Sequence, residues 1–256
     1  MSEAIIFEHP LNERVRGFLR LEHLFRNVDT RIHGSSEWDS RDTLISLIEI
    51  ADILTRSDLK GELLKELERD AGTLNSLKEN PAVDNDRLLT ILQGINGLVE
   101  QLRAPGCQPG QNLRTDELIS VIRQRSTLPS GTCGFDLPAY HFWLHQPDAD
   151  RVADLDRWYR DLRIIRDAVG YALSMIRNSA TPKQVEADNG IFQQSLDGAN
   201  NCQLLRILLP TDSACFPEIS GGKHRFSIRF MQREDTLSRP AQVQNTVEFE
   251  LHCCIL

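Results

Sequence analysis

Apolar residues recur at three- and four-residue steps through the first 180 residues, the spacing of one face of an α-helix. Asn12 is placed to cap the first such stretch, and Asn80-Pro81 ends the third. Pro138 suits the first turn of a later helix, where its missing N–H costs nothing. The pattern predicts helices over 13–28, 38–56, 58–79, 84–103 and 115–125, and one that begins at Pro138.

The longest apolar stripe runs from residue 149 to residue 178 and predicts a single long helix. A stripe of this length needs an equally long partner face. It fits the central helix of a bundle, the seam of a dimer, or both.

The pattern changes after Ala180, where strands are predicted over 202–209, 223–231 and 247–252, and apolar and polar residues alternate along the second and third of them. Alternation of this kind predicts strands with one apolar face, and therefore a one-sided antiparallel sheet. A short strand at 5–8 is expected to join that sheet. The predicted fold class is α+β: an N-terminal α-helical bundle domain (11–178) and a smaller antiparallel β domain (179–256), joined by the N-terminal strand (1–10).

Composition and charge argue against several classes of function. The chain has 256 residues and a formal charge of -8, which argues against nucleic-acid binding by overall electrostatics. No apolar run reaches the roughly 18 residues of a membrane span, and the N-terminus lacks the features of a secretory signal, so a cytoplasmic location is expected. The six cysteines form no CxxC pair and are expected to be reduced, with no role assigned to Cys253 and Cys254.

Two segments could suggest an enzyme. His141 and His145 lie four residues apart, as in zinc peptidases, but Phe142 stands where the catalytic Glu would be. Cys133 lies near Asp136, yet GTCGF does not match the nucleophile elbow. Packing explains both segments better, and a hydrolase is the least favoured class. No catalytic residue, metal site or cofactor is predicted.

The strand at 223–231 carries a local basic face. Lys223, Arg225 and Arg229 project from the same side, because side chains alternate along a strand. Two interpretations stay open: a solvated outer face, or a binding surface for an acidic peptide or single-stranded nucleic acid. Base stacking would require aromatic residues on the basic face, whereas Phe226 and Phe230 are predicted to face the core.

Five segments of the chain are distinctive: FEHPLNERVRGFLRLE (7–22), GELLKELER (61–69), LISVIRQR (118–125), CGFDLPAYHFWLH (133–145) and ISGGKHRFSIRFM (219–231). Together they resemble the ZapD family of FtsZ-associated cell division proteins. The resemblance covers nearly the whole chain. It implies a homodimer with a helical and a β-rich domain, which binds the C-terminal tail of FtsZ, bundles FtsZ filaments and supports the Z-ring at mid-cell.

The resemblance also implies binding positions. Basic residues implicated in FtsZ binding in the family match Arg20, Arg56, His141, Arg225 and Arg229. Lys223 is added from strand alternation alone. One position departs from the family pattern: Glu117 stands where an arginine can occur, which reverses a charge in the helical domain. The predicted function is thus a non-enzymatic FtsZ cross-linker, and single-stranded nucleic-acid binding is the alternative. The predicted partners are FtsZ and a second copy of the chain, without nucleic acid or membrane.

Overall fold

A computed structural model of the chain describes residues 4–78, 80, 83–196, 202–222, 224–233 and 237–255. Within those ranges the helices are α1 Glu13–Arg31, α2 Glu37–Arg56, α3 Leu59–Ser76, α4 Asn85–Arg103, α5 Gln111–Arg114, α6 Glu117–Arg125, α7 Pro138–Leu144, α8 Asp148–Tyr159 and α9 Arg163–Asn178. The strands are β1 Ala4–Pro10, β2 Lys183–Ala187, β3 Ile191–Ser195, β4 Cys202–Pro210, β5 Cys215–Gly221, β6 Arg225–Gln232, β7 Ala241–Gln242 and β8 Val247–Ile255. The α+β class is confirmed.

The chain divides into two compact units. The helical unit is Gly17–Ala172, and the β unit is Met1–Arg16 together with Leu173–Leu256. The boundaries between the units fall inside α1 and α9. The predicted domain limits at residues 10 and 178 stay a prediction, since compactness alone does not decide which segments fold independently.

The helices begin where capping side chains occur. The Asn12 side chain accepts a hydrogen bond from the Val15 amide at 2.9 Å, as predicted from the sequence. Ser36 and Asp39 form a reciprocal capping box at the start of α2. The predicted apolar face of α1 is at most 2% exposed; it consists of Val15, Phe18, Leu21, Phe25 and Val28. None of the helices in the described ranges combines the length and apolar composition that crossing a membrane requires.

The prediction of one helix over 149–178 is wrong. Helix α8 ends at Tyr159 and α9 begins at Arg163, with a turn between them. The Asp161 carboxylate accepts the Asn112 backbone N–H at 2.9 Å, a long-range bond within the helical unit. No Pro or Gly marks the turn, and the buried Leu162 keeps the apolar stripe continuous, so periodicity could not reveal the break.

The β unit contains two antiparallel sheets rather than the single one expected. One has the order β1-β4-β8-β2, so the predicted pairing of the N-terminal strand is confirmed. The other has the order β3-β6-β5, with β7 also paired to β6. The sheets share an apolar core in which the rings of Phe230 and Phe249 lie 4.9 Å apart. Strand β4 is buried on both faces, because Leu204 and Leu205 are both inaccessible to solvent.

Candidate functional site

Strand β6 separates a core face from a basic face. Phe226 and Phe230 are 2% and 0% exposed, whereas Arg225 and Arg229 lie on the exposed side. Their Cα atoms are four residues apart, or about 13 Å along an extended strand. Because the buried phenylalanines fix the register, the two guanidinium groups are held on one surface.

The neighbours of the two arginines differ. Glu218 on β5 is directly opposite Arg229, and their side chains form an ion pair at 3.6 Å. Opposite Arg225 stands Gly222, whose backbone N–H donates to the Arg225 carbonyl oxygen at 3.0 Å. The described residues place no carboxylate within 4 Å of the Arg225 guanidinium. One cation is therefore paired within the chain and the other is available to solvent.

An open depression of about 780 Å³ surrounds Arg225. Its lining includes the ends of three strands: Gln193 and Ser195 from β3, Ser227 from β6 and Ser220 from β5. Cross-strand register puts Ser195 beside Arg225, and Ser227 between Gln193 and Ser220. These neutral hydroxyl and amide groups can donate hydrogen bonds to an oxygen that binds the arginine.

Lys223, the third cation predicted on this surface, lies outside the described residues. It stays a prediction.

The sequence reasoning missed β5 and with it Glu218. On β5, Cys215 and Ile219 pack against the core, whereas Glu218 between them is exposed. Pro217 conceals this pattern, since proline usually argues against a strand that is not at a sheet edge. Phe216 also belongs to the outer face, because it pairs directly with Met231.

In the helical unit, Arg20 and Arg56 belong to the same end of the α1–α2 pair. Helix α1 approaches the start of α3 at Gly17, where an added Cβ would lie 2.8 Å from Leu59. Arg20 is one turn further along α1, and Arg56 is the last residue of α2. The Arg56 side chain is 80% exposed and lies 3.9 Å from the Asp52 carboxylate.

His141 lies on α7, and its ring centroid is 4.3 Å from that of His145. The His141 carbonyl oxygen also contacts the His145 ring nitrogen at 2.9 Å. Gly134 lies against His141, since an added Cβ would be 3.1 Å from its Nδ1. His141 is exposed.

Among the described residues, no hydrogen bond, ion pair or ring contact joins His141 to Arg56. Burial raises the pKa of Tyr140, next to His141, to about 12, with opposing effects of the nearby Arg41 and Asp42 charges. Helix α7 contacts both α2 and α6.

Glu117 is exposed in the first turn of α6. The same helix contacts α2 through an ion pair of 2.5 Å between Arg123 and Asp52. The charge reversal predicted at residue 117 would thus be carried by a helix that packs near the Arg56 end of α2.

The segments that could suggest an enzyme have ordinary contacts. The Cys133 thiol donates a hydrogen bond to the Asp136 carboxylate at 3.1 Å, and this acceptor is an acid rather than an imidazole base. In the part of the chain that the structure describes, no three His, Cys, Asp or Glu side chains are grouped as metal ligands. All six cysteines are free thiols.

These features define an α+β protein with an open, arginine-bearing sheet surface suited to acidic partners. A family model described as "ZapD: Cell division protein" matches residues 19–229. Relatives named "Cell division protein ZapD" include that of Methylococcus capsulatus, 38% identical over 256 residues and the full length of both chains. That of Azoarcus sp. is 38% identical over 252 residues, covering 98% of this chain and 100% of the relative. That of Coxiella burnetii is 34% identical over 255 residues, or 99% of each.

The chain therefore belongs to the ZapD family of cell division proteins. The family resemblance predicted from the sequence is confirmed, and with it a role in cell division.

Proposed function

We propose that this chain binds the C-terminal tail of FtsZ and cross-links FtsZ filaments into bundles, without catalysing a reaction. The proposal rests on membership of the ZapD family, and the observation that carries it is the exposed pair Arg225 and Arg229 on β6. Guanidinium groups bind carboxylates through paired, directional hydrogen bonds, which suits an acidic peptide segment.

The site is an open sheet surface, which suits an extended segment better than a small molecule. Surface charge pairs each contribute about 0.2–1 kcal/mol, so a single contact would be weak and sensitive to salt. Arg20, Arg56 and His141 are proposed as further contacts in the helical unit, and Lys223 as a further contact beside Arg225.

Cross-linking requires at least two sites in one particle. A homodimer provides two copies of the same surface by symmetry. Because an FtsZ filament presents many tails at high local concentration, two weak contacts on neighbouring filaments gain avidity. We therefore propose a homodimer acting in the cytoplasm at the mid-cell division site, without a cofactor, nucleic acid or membrane as partner.

The test is co-sedimentation with polymerised FtsZ, with and without the FtsZ C-terminal tail. The proposal predicts that the chain enters the pellet and increases filament bundling only when the tail is present. Equal pelleting with tail-less FtsZ would exclude the tail as the binding element, and no pelleting with either would exclude FtsZ as the partner.

Single-stranded nucleic acid is the alternative ligand for an arginine-bearing sheet face. Stacking proteins use several aromatic side chains on such a face. Among the described residues of this surface the aromatic is Phe216, which is partly buried, while Phe226 and Phe230 belong to the core. A gel-shift titration with single-stranded DNA and RNA distinguishes the two functions, and the FtsZ proposal predicts no shift at micromolar protein.

A further inference from the structure

Strand β5 places different residues opposite the two arginines of β6. The antiparallel register pairs Glu218 with Arg229 and Gly221 with Phe226. One step further along the same register, Gly222 is opposite Arg225, as its hydrogen bond to the Arg225 carbonyl shows. Gly222 therefore occupies beside Arg225 the position that Glu218 occupies beside Arg229.

The missing side chain at Gly222 creates the space next to Arg225. A Cβ added there would meet no atom within 4 Å. Gly222 is not one of the described glycines with positive φ, which are Gly110 and Gly190. Because the backbone does not require glycine at this position, what glycine provides is an unobstructed approach to the Arg225 guanidinium.

Among the described residues, the opposite side of Arg225 is polar and uncharged. Ser195 on β3 pairs directly with Arg225, and Gln193 pairs directly with Ser227. Directly paired residues of an antiparallel sheet project from the same face, so these side chains surround the same opening as Arg225. The opening is the depression of about 780 Å³ described above.

We propose that the two arginines have unequal roles: the depression around Arg225 is the entry subsite for a carboxylate of an extended acidic peptide, and Glu218 acts as an intramolecular competitor at Arg229. A carboxylate that enters beside Gly222 meets Arg225 without displacing an acid of the described residues, and Ser195 and Gln193 can donate to it. A carboxylate that approaches Arg229 must first displace Glu218.

The inference deepens the proposed function, on which it rests for the identity of the peptide. Its test uses fluorescence anisotropy of two labelled probes with the full-length chain. One probe is a synthetic FtsZ C-terminal tail peptide. The other is a glutamate-rich decapeptide, which reports the acidic subsite even if FtsZ is not the partner. Circular dichroism and thermal melting check that each variant is folded.

Two variants change which arginine has an acidic neighbour. Glu218→Gln removes the ion pair at Arg229 and is expected to strengthen binding about two- to fivefold, because one exposed charge pair no longer opposes the ligand. Gly222→Glu supplies Arg225 with an acid at the position corresponding to Glu218, and is expected to weaken binding about three- to tenfold. Gly222→Gln is the matched control, equal in size to Glu but neutral, and should weaken binding less.

A third variant tests the β3 side of the subsite. The double substitution Gln193→Ala with Ser195→Ala removes hydrogen-bond donors without changing charge, and is expected to weaken binding about two- to fivefold.

Three outcomes would overturn the inference: unchanged or weaker binding by Glu218→Gln, equal binding by Gly222→Glu and Gly222→Gln, or wild-type affinity of the β3 double variant. A different result would exclude the proposed function without excluding the subsite. If the tail peptide does not bind the wild-type chain while the glutamate-rich probe follows the expected order of variants, the subsite stands and FtsZ is the wrong partner. If neither probe binds the wild-type chain, the subsite is excluded as well.

Discussion

The basic surface of β6 and the basic residues of the helical unit differ in how the fold holds them. On β6, one strand fixes both arginines about 13 Å apart, and buried phenylalanines on its other face fix the register. In the helical unit, Arg56 and His141 lie on different helices, α2 and α7, and Arg56 already has an acid nearby in Asp52. We therefore propose that β6 forms one binding surface and that the helical residues act as separate contacts.

The largest effect is expected from reversing both charges on β6. Arg225→Glu combined with Arg229→Glu should abolish FtsZ bundling, because the surface would repel the acidic segment that it is proposed to attract. Both side chains are exposed, so circular dichroism and the melting temperature should stay close to those of the wild type. Sedimentation of FtsZ filaments at low speed measures bundling.

Normal bundling by this double variant would show that the basic face of β6 is not the FtsZ-binding surface. The matched control is Arg160→Glu, an exposed arginine on the turn between α8 and α9 that is not among the proposed contacts. It should leave bundling unchanged.

A substitution on the opposite, buried face of β6 should lower the stability of the fold. Phe230 is fully buried and contacts Phe249, so Phe230→Ala should lower the free energy of unfolding by about 3–5 kcal/mol. Denaturant unfolding measures this loss. A loss below about 1 kcal/mol would mean that Phe230 does not anchor the register of the arginines.

The next largest effect is expected from salt, which should weaken binding of the FtsZ tail peptide to the β6 surface. Raising NaCl from 50 to 300 mM shortens the Debye length from about 14 to about 6 Å, and tail-peptide affinity should fall several-fold. Arg225→Ala with Arg229→Ala should bind weakly and show a smaller salt dependence. An equal slope for wild type and double variant would place the charged contact elsewhere.

The smallest effects are expected in the helical unit. Arg56→Ala and His141→Ala should each weaken FtsZ binding about two- to fivefold, as single exposed contacts do. Because Arg56 and His141 lie on different helices and no described interaction joins them, their effects should add within about 0.5 kcal/mol in a double-mutant cycle. A coupling energy above 1 kcal/mol would show that they contact the ligand as one pocket.

The sequence predicted the features that arise from local patterning. The apolar face of α1, its Asn12 cap and the alternation along β6 are all present, because each depends on residues close together in the chain. The resemblance also named the correct family, and the pairing of the N-terminal strand with the sheet was expected.

The sequence could not predict the features that depend on long-range contacts. The turn at Asp161 is held by Asn112, a residue 49 positions away, and it leaves no local signal. The Glu218–Arg229 ion pair depends on the pairing of β5 with β6, and Pro217 obscured β5. The unequal roles that we propose for the two arginines rest on that pairing.

Site-specific photo-crosslinking to FtsZ filaments tests most directly whether the FtsZ C-terminal tail binds to the β6 surface. Ser227 lies between Arg225 and Arg229 on the exposed side of β6, and is replaced by p-benzoylphenylalanine. Mass spectrometry of the crosslinked peptides then identifies what touches this surface. We predict adducts within the FtsZ C-terminal tail, reduced when free tail peptide competes. Adducts confined to the globular part of FtsZ, or a yield that free tail peptide does not change, would contradict the account.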